Sequence, residues 1–207
     1  MLDRRVEIIS SFLRETRPAP GAEVLEVGAG TGQMMGLVSP AFPGVRFRGL
    51  EPDGHYVEYA RARYRAENPL LEFGRGTLEE LRLPPGSVDC AYSINVWHHI
   101  PEPELERAAA ALSSALKPGG FYLCLEPNWL NPYVFAYQWL TGGERNFFQW
   151  RELKAALRYF EPAGKAFRFA YPEAVRRPPK TLAGLEFALE RCPPLAGAVV
   201  YTLRKKG

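Results

Sequence analysis

The chain has 207 residues, 46% of them hydrophobic and 24% charged, with a formal net charge of +3. This is the size and balance of one globular domain with its own core, which excludes a disordered chain and needs no disulfide or metal to hold it together. No apolar run reaches the ~18 residues of a membrane-spanning helix, the opening MLDRRVEIIS has no secretory apolar stretch, and Cys90, Cys124 and Cys192 form no CxxC pair, so a reducing, cytoplasmic setting without a metal centre is expected.

Charge is unevenly spread. Residues 1–144 carry a net −5 and residues 145–207 a net +8. A basic tail can face RNA or an anionic acceptor. A solvated basic face is the simpler reading, so nucleic acid is not an expected partner.

Residues 2–16 place Leu2, Val6, Ile9 and Leu13 at helical spacing, and Pro18, Pro20 and Gly21 end that helix. A buried strand follows at 24–27, then a helix at 31–39. A second strand spans 45–50 and an Arg-rich helix 54–66. Strands at 70–73 and 88–94 precede an Ala-rich helix at 103–116, which Lys117-Pro118-Gly119-Gly120 should stop. A fifth strand runs 121–125, a helix 149–159, and closing strands lie at 166–170 and 198–203. Strand–helix alternation at this spacing means an α/β fold with parallel pairing and crossovers. Such sheets bind ligands beyond the C-terminal strand ends, where chain order reverses.

The first strand runs into Gly28-Ala29-Gly30-Thr31-Gly32. Glycines there allow a sharp turn and close approach of a ligand to the main chain, and the following helix N-terminus favours an anionic group. Glu51 ends the next strand, 19 residues beyond Gly32. A carboxylate at that point can take both hydroxyls of a ribose. A dinucleotide loop wants its third glycine at position 33, which is Gln33, so nicotinamide chemistry is disfavoured.

The segments VLEVGAGTG, GLEPDG, GRGTLEELRLPPGSVDCAYSINVWHHI, LKPGG and FYLCLEPN occur in order over residues 22–128. In these the sequence resembles the class I S-adenosylmethionine-dependent methyltransferases, in their small-molecule branch. The resemblance implies a Rossmann-like, doubly wound, seven-stranded sheet, mostly parallel with the last strand antiparallel. It implies S-adenosylmethionine as cofactor, with Gly28, Gly30 and Gly32 around its methionine part and Glu26 supporting the loop. It assigns Glu51 to the ribose, Pro52 to the side of the adenine, and Thr77 and Leu78 to the adenine edge. Thr77 stands where the family usually has Asp.

A sulfonium methyl is already electrophilic, so transfer is an in-line displacement needing alignment more than chemistry, and a base is required only when the acceptor must lose a proton. His98, just past the fourth strand, is the candidate base. His99 reads as packing. Ser93 and Asn95 at that strand end are candidate contacts to the methionine part. Glu126 and Asn128 end the fifth strand and point at the same site as candidate substrate contacts.

Residues 129–150 hold eight aromatics, among them Trp129 and Tyr133, which join the candidate substrate residues. So apolar a stretch covers something, and residues 127–150 read as a helical lid over an apolar acceptor pocket. Docking on a membrane is disfavoured, because its polar face lacks Lys and Arg. Proline-rich residues 171–197 read as a second flap. The expected whole is a single domain over 1–207, with residues 1–20 as its N-terminal helix, that methylates a small, largely apolar acceptor. RNA or protein methylation through the basic tail, and a non-catalytic cofactor-binding module, stand as alternatives. Nothing in the sequence reports on oligomeric state.

Overall fold

The computed structural model describes residues 2–64, 66–140, 149–168 and 190–207. Seven strands form one sheet: β1 (Glu23–Val27), β2 (Arg46–Glu51), β3 (Leu71–Arg75), β4 (Val88–Ile94), β5 (Leu116–Pro127), β6 (Phe160–Arg168) and β7 (Ala198–Lys205). Their order is β3-β2-β1-β4-β5-β7-β6. β1 to β5 pair in parallel, and β7 runs antiparallel to both β5 and β6. This is the doubly wound sheet the sequence implies, with the last strand reversed. Chain order changes direction between β1 and β4, so a crevice opens beyond their C-terminal ends.

Residues alternate across the sheet, as the two-residue strand period requires. Val24, Phe47, Cys90, Tyr92 and Leu123 face α1 (Leu2–Thr16), α2 (Gln33–Val38) and α3 (Gly54–Tyr64). Leu25, Val27, Ala91 and Tyr122 face α4 (Leu105–Ala115) and α6 (Gln149–Tyr159). A further helix, α5 (Pro132–Leu140), follows β5.

Two boundaries differ from the sequence reading. The helix stops as expected at Ala115, but β5 begins at Leu116 rather than at 121, so Lys117-Pro118-Gly119-Gly120 belongs to the strand. Gly119 takes a φ of 70°, and pairing with β4 slips between Val88 and Cys90. β6 begins at Phe160 rather than Ala166. Pro162 and Gly164 hide it in the sequence, but an edge strand tolerates proline, and the register shift against β7 falls between those two residues.

Most of the second flap, and residues 141–148 of the lid, lie outside the described residues. Among the described residues no helix is long and apolar enough to cross a membrane, and no group of three or more His, Cys, Asp or Glu is arranged to hold a metal.

Candidate functional site

The bend after β1 sits in the crevice. Main-chain amides of Gly28 and Ala29 donate to the Leu50 carbonyl of β2, at 2.8 and 3.0 Å. Gly28 has a φ of 71°, and a Cβ added there would lie 2.4 Å from Val96 Cγ2. The loop after β4 is thus pressed onto the bend, and only glycine fits. Gly30, with a φ of 52°, is different, since an added Cβ would meet nothing within 4 Å. The bend is closed at Gly28 and open at Gly30.

Glu51 closes β2 directly against this opening. Its Oε2 accepts from the Gly30 amide at 2.8 Å and its Oε1 from the Asp53 amide at 3.0 Å. A carboxylate has about four acceptor positions. Two are engaged, and the remainder can take a pair of hydroxyls. Pro52 is exposed beside it, and its carbonyl accepts from Arg75 Nε. Beyond β3, Leu78 is buried, and the Thr77 hydroxyl is buried without a hydrogen-bond partner among the described residues. An orphaned hydroxyl of this kind costs free energy until something bonds to it.

Glu26 lies beneath the bend and is 3% exposed. Its Oε2 accepts from the Tyr92 hydroxyl at 3.1 Å. Burial pushes its carboxyl up to about 8 against the pull of Tyr92 and the Met35 backbone, with the Glu51 charge adding to the rise. Tyr92 was not singled out in the sequence, where it is one more core aromatic.

The loop after β4 is organised by Glu126. Asn95 turns the chain at a φ of 57°, a left-handed conformation that asparagine tolerates. The amides of Val96 and Trp97 then both donate to Glu126 Oε1, at 2.9 and 3.0 Å. His98 Nδ1 lies 2.6 Å from Glu126 Oε2, and the ring packs at a tilt of 41° against His99 with centroids 4.0 Å apart. His98 and Glu126 are 6% and 2% exposed. Both Glu126 oxygens are thus engaged by the loop that walls the glycine bend.

Two further candidate site residues have buried side chains. The Ser93 hydroxyl is fully buried and bonds to the Tyr122 hydroxyl, which also accepts from Trp97 Nε1. Its side chain belongs to the core of the α4/α6 face, not to the crevice. Asn128 is also fully buried; its Nδ2 donates to the carbonyls of Pro193 and Ala196, at 2.5 and 2.7 Å. It ties the end of β5 to the approach of β7. Asn131 caps α5 through the amides of Tyr133 and Val134. Trp129 is half-buried and Tyr133 is exposed. Around α5, Leu130, Tyr133, Phe135 and Leu140 are all exposed large apolar residues.

Among the described residues, the C-terminal cations are largely engaged within the chain. Arg151 pairs with Glu102, Arg158 with Glu106 and Arg168 with Glu190. Lys205 and Lys206 donate to main-chain carbonyls.

Residues 24–120 match a family model described as a methyltransferase domain. A probable S-adenosylmethionine-dependent methyltransferase of Mycolicibacterium smegmatis is 32% identical over 125 residues, covering 60% of this chain and 45% of that protein. The curated relatives are longer, and the chain spans from 30% to 52% of their lengths. In fold it is similar to a geranyl diphosphate C-methyltransferase from Streptomyces coelicolor A3(2), with a TM-score of 0.70 at 16% identity, covering 98% of this chain and 81% of the other. It is also similar in fold to the [4+2]-cyclase SpnF, with a TM-score of 0.72 at 21% identity, covering 99% and 81%.

Proposed function

We propose that the protein, whose residues 24–120 match a methyltransferase-domain model, is an S-adenosylmethionine-dependent methyltransferase that methylates a small, largely apolar acceptor at the crevice beyond β1 and β4. The observation that carries the reading is the contact between Glu51 and the Gly30 amide beside open space. Bound there, S-adenosylmethionine supplies an electrophilic methyl group. The residues present suit it. Glu51 keeps acceptor capacity for the ribose hydroxyls, the open side of Gly30 leaves room for the methionine part, and the unpartnered Thr77 hydroxyl beside Leu78 suits the adenine edge.

This chain's own work is then orientation and exclusion of water. Holding two reactants in line supplies about 7–11 kcal/mol of a barrier. The uncharged α5, with Tyr133 and Phe135 on it and Trp129 before it, follows the strand end nearest the acceptor side and favours an apolar partner. The methyltransferase with the similar fold is named for a prenyl diphosphate, which agrees with that class. Where the acceptor is a hydroxyl, His98 takes its proton at Nε2, with Nδ1 held by Glu126.

The engaged cations among the described C-terminal residues weigh against RNA as acceptor. The likeness to a cyclase favours one second reading, a domain that binds the cofactor without transferring its methyl group. The test is calorimetry with S-adenosylhomocysteine and with NAD, followed by labelled-methyl transfer to a panel of prenyl, phenolic and sterol-like acceptors. Binding of the first and label in an apolar product are expected. Binding of NAD alone overturns the assignment, and cofactor binding without transfer to any acceptor selects the second reading.

A further inference from the structure

Behind His98 lies a second acid that alignment of a methyl group does not require. Glu152 is on α6, on the stripe that carries Leu153 and Ala156 inward, and is 7% exposed. Glu152 and Glu126 face one cavity of about 20 Å³, lined also by Trp97, Tyr122, Cys124 and Tyr201. The two carboxyls differ in what surrounds them. Glu126 receives two main-chain amides, the His98 ring and, more weakly, the Cys124 thiol. No described residue donates to Glu152.

We propose that Glu152 is a positioning residue for His98, acting through Glu126: the two carboxyls share one negative charge and one proton behind the imidazole. This rests on the reading of His98 as the group that takes the acceptor's proton.

Two carboxylates on one largely apolar cavity cannot both ionise cheaply, and the charge settles on the one with donors. Glu152, with no donor among the described residues, is the acid that keeps its proton. Burial first, and the Glu126 charge second, push Glu152 up to about 8. Among the described residues, the groups facing it are Glu126, Cys124 and Tyr122 from β5, Tyr201 from β7 and His98 beyond Glu126. Burial raises Cys124, Tyr122 and Tyr201, so they stay neutral. No Lys or Arg is among the described residues lining the cavity.

An anionic Glu126 fixes the proton of the neutral ring on Nδ1 and leaves Nε2 basic. During transfer the acceptor's O–H bond breaks, its electron pair stays on oxygen, and a new N–H bond forms at Nε2. The array then passes from one negative charge to none, and water later removes the proton. Once Glu152 ionises, a second negative charge stands behind the ring.

The experiment is a titration of ring-15N-labelled protein with S-adenosylhomocysteine bound, from pH 6 to 9.5. In the wild type, His98 is expected to show the Nδ1–H tautomer, and its signals should shift in a distinct step as Glu152 ionises near 8. Glu152→Gln should keep the tautomer and lose that step, and Glu126→Gln should lose the tautomer. A wild-type titration without the step overturns the proposal and needs no variant to fold. So does a Glu152→Gln titration that retains it. Turnover of His98→Ala judges the base reading separately. An unchanged rate removes His98 from proton transfer, whereas the ring signals report on the array alone.

Discussion

The Gly30 amide donates to Glu51 Oε2 across 2.8 Å, joining the bend after β1 to the acid that ends β2. The bond does two jobs. It fixes the carboxylate at the mouth of the crevice, and it holds the bend open at the residue whose missing side chain would project into free space. Glu51→Ala removes a charged acceptor from this point. S-adenosylhomocysteine affinity should fall by about 1–3 kcal/mol, the scale of a hydrogen bond to a charged group. Isothermal calorimetry measures it, and unchanged affinity would show that the ribose is held elsewhere.

Gly28 and Gly30 should respond differently to alanine. Gly28→Ala sets a methyl 2.4 Å from Val96 Cγ2 in a left-handed conformation, and should lower stability by about 1–3 kcal/mol in urea unfolding. Gly30→Ala carries the conformational cost alone, about 1–2 kcal/mol. Its methyl enters the open side of the bend, so cofactor affinity should drop by more than the stability loss. Equal behaviour of the two variants would mean that the opening at Gly30 is not used.

Stability should decline as pH rises toward 8. Glu26 and Glu152 are both raised to about 8 by burial, from an ordinary value of 4.5. Between those values the folded chain keeps protons that the unfolded chain has released. Unfolding is then favoured by increasing pH. The stabilising contribution is complete below 4.5 and is lost as pH climbs through 8. Melting temperatures taken from pH 5 to 8.5 should fall, and less steeply in Glu152→Gln. A flat profile in the unsubstituted protein would show both acids ionised throughout.

Glu126→Ala should cost more than truncating a surface acid. It strands the buried amides of Val96 and Trp97, at about 1–3 kcal/mol for each orphaned donor, and releases the loop that presses on Gly28. Chemical denaturation gives the loss. His98→Ala leaves those amides bonded, so it should lower turnover of a hydroxyl acceptor while cofactor affinity stays near wild type. Equal turnover would remove His98 from the mechanism.

The bend and its acid were legible in the sequence because each is local. Glycine marks a turn that needs its φ, and Glu51 sits where a strand ends. Glu126 was legible as a strand-end residue but not in its role. Its partners, Val96 to His98, lie some 30 residues away and reach it only through the pairing of β4 with β5. The partners of Asn128 were hidden for the same reason, since its carbonyl acceptors are at Pro193 and Ala196. Ser93 lies at the strand end read from the sequence, but the two-residue period alone does not say which face its side chain takes. Glu152 carried a signal that went unused: Glu152, Leu153 and Ala156 share helical spacing, which sets an acid on an apolar stripe.

β7 is wedged between β5 and β6 although it comes last in chain order. On the ribosome, every other strand emerges before the one that joins the two sides of the sheet. Until Ala198–Lys205 appear, β5 keeps a bare hydrogen-bonding flank and β6 has nothing to lie against. Nascent chains of this topology spend that interval exposed to mispairing with one another, and substitutions in β7 should show first as poor yield from cells.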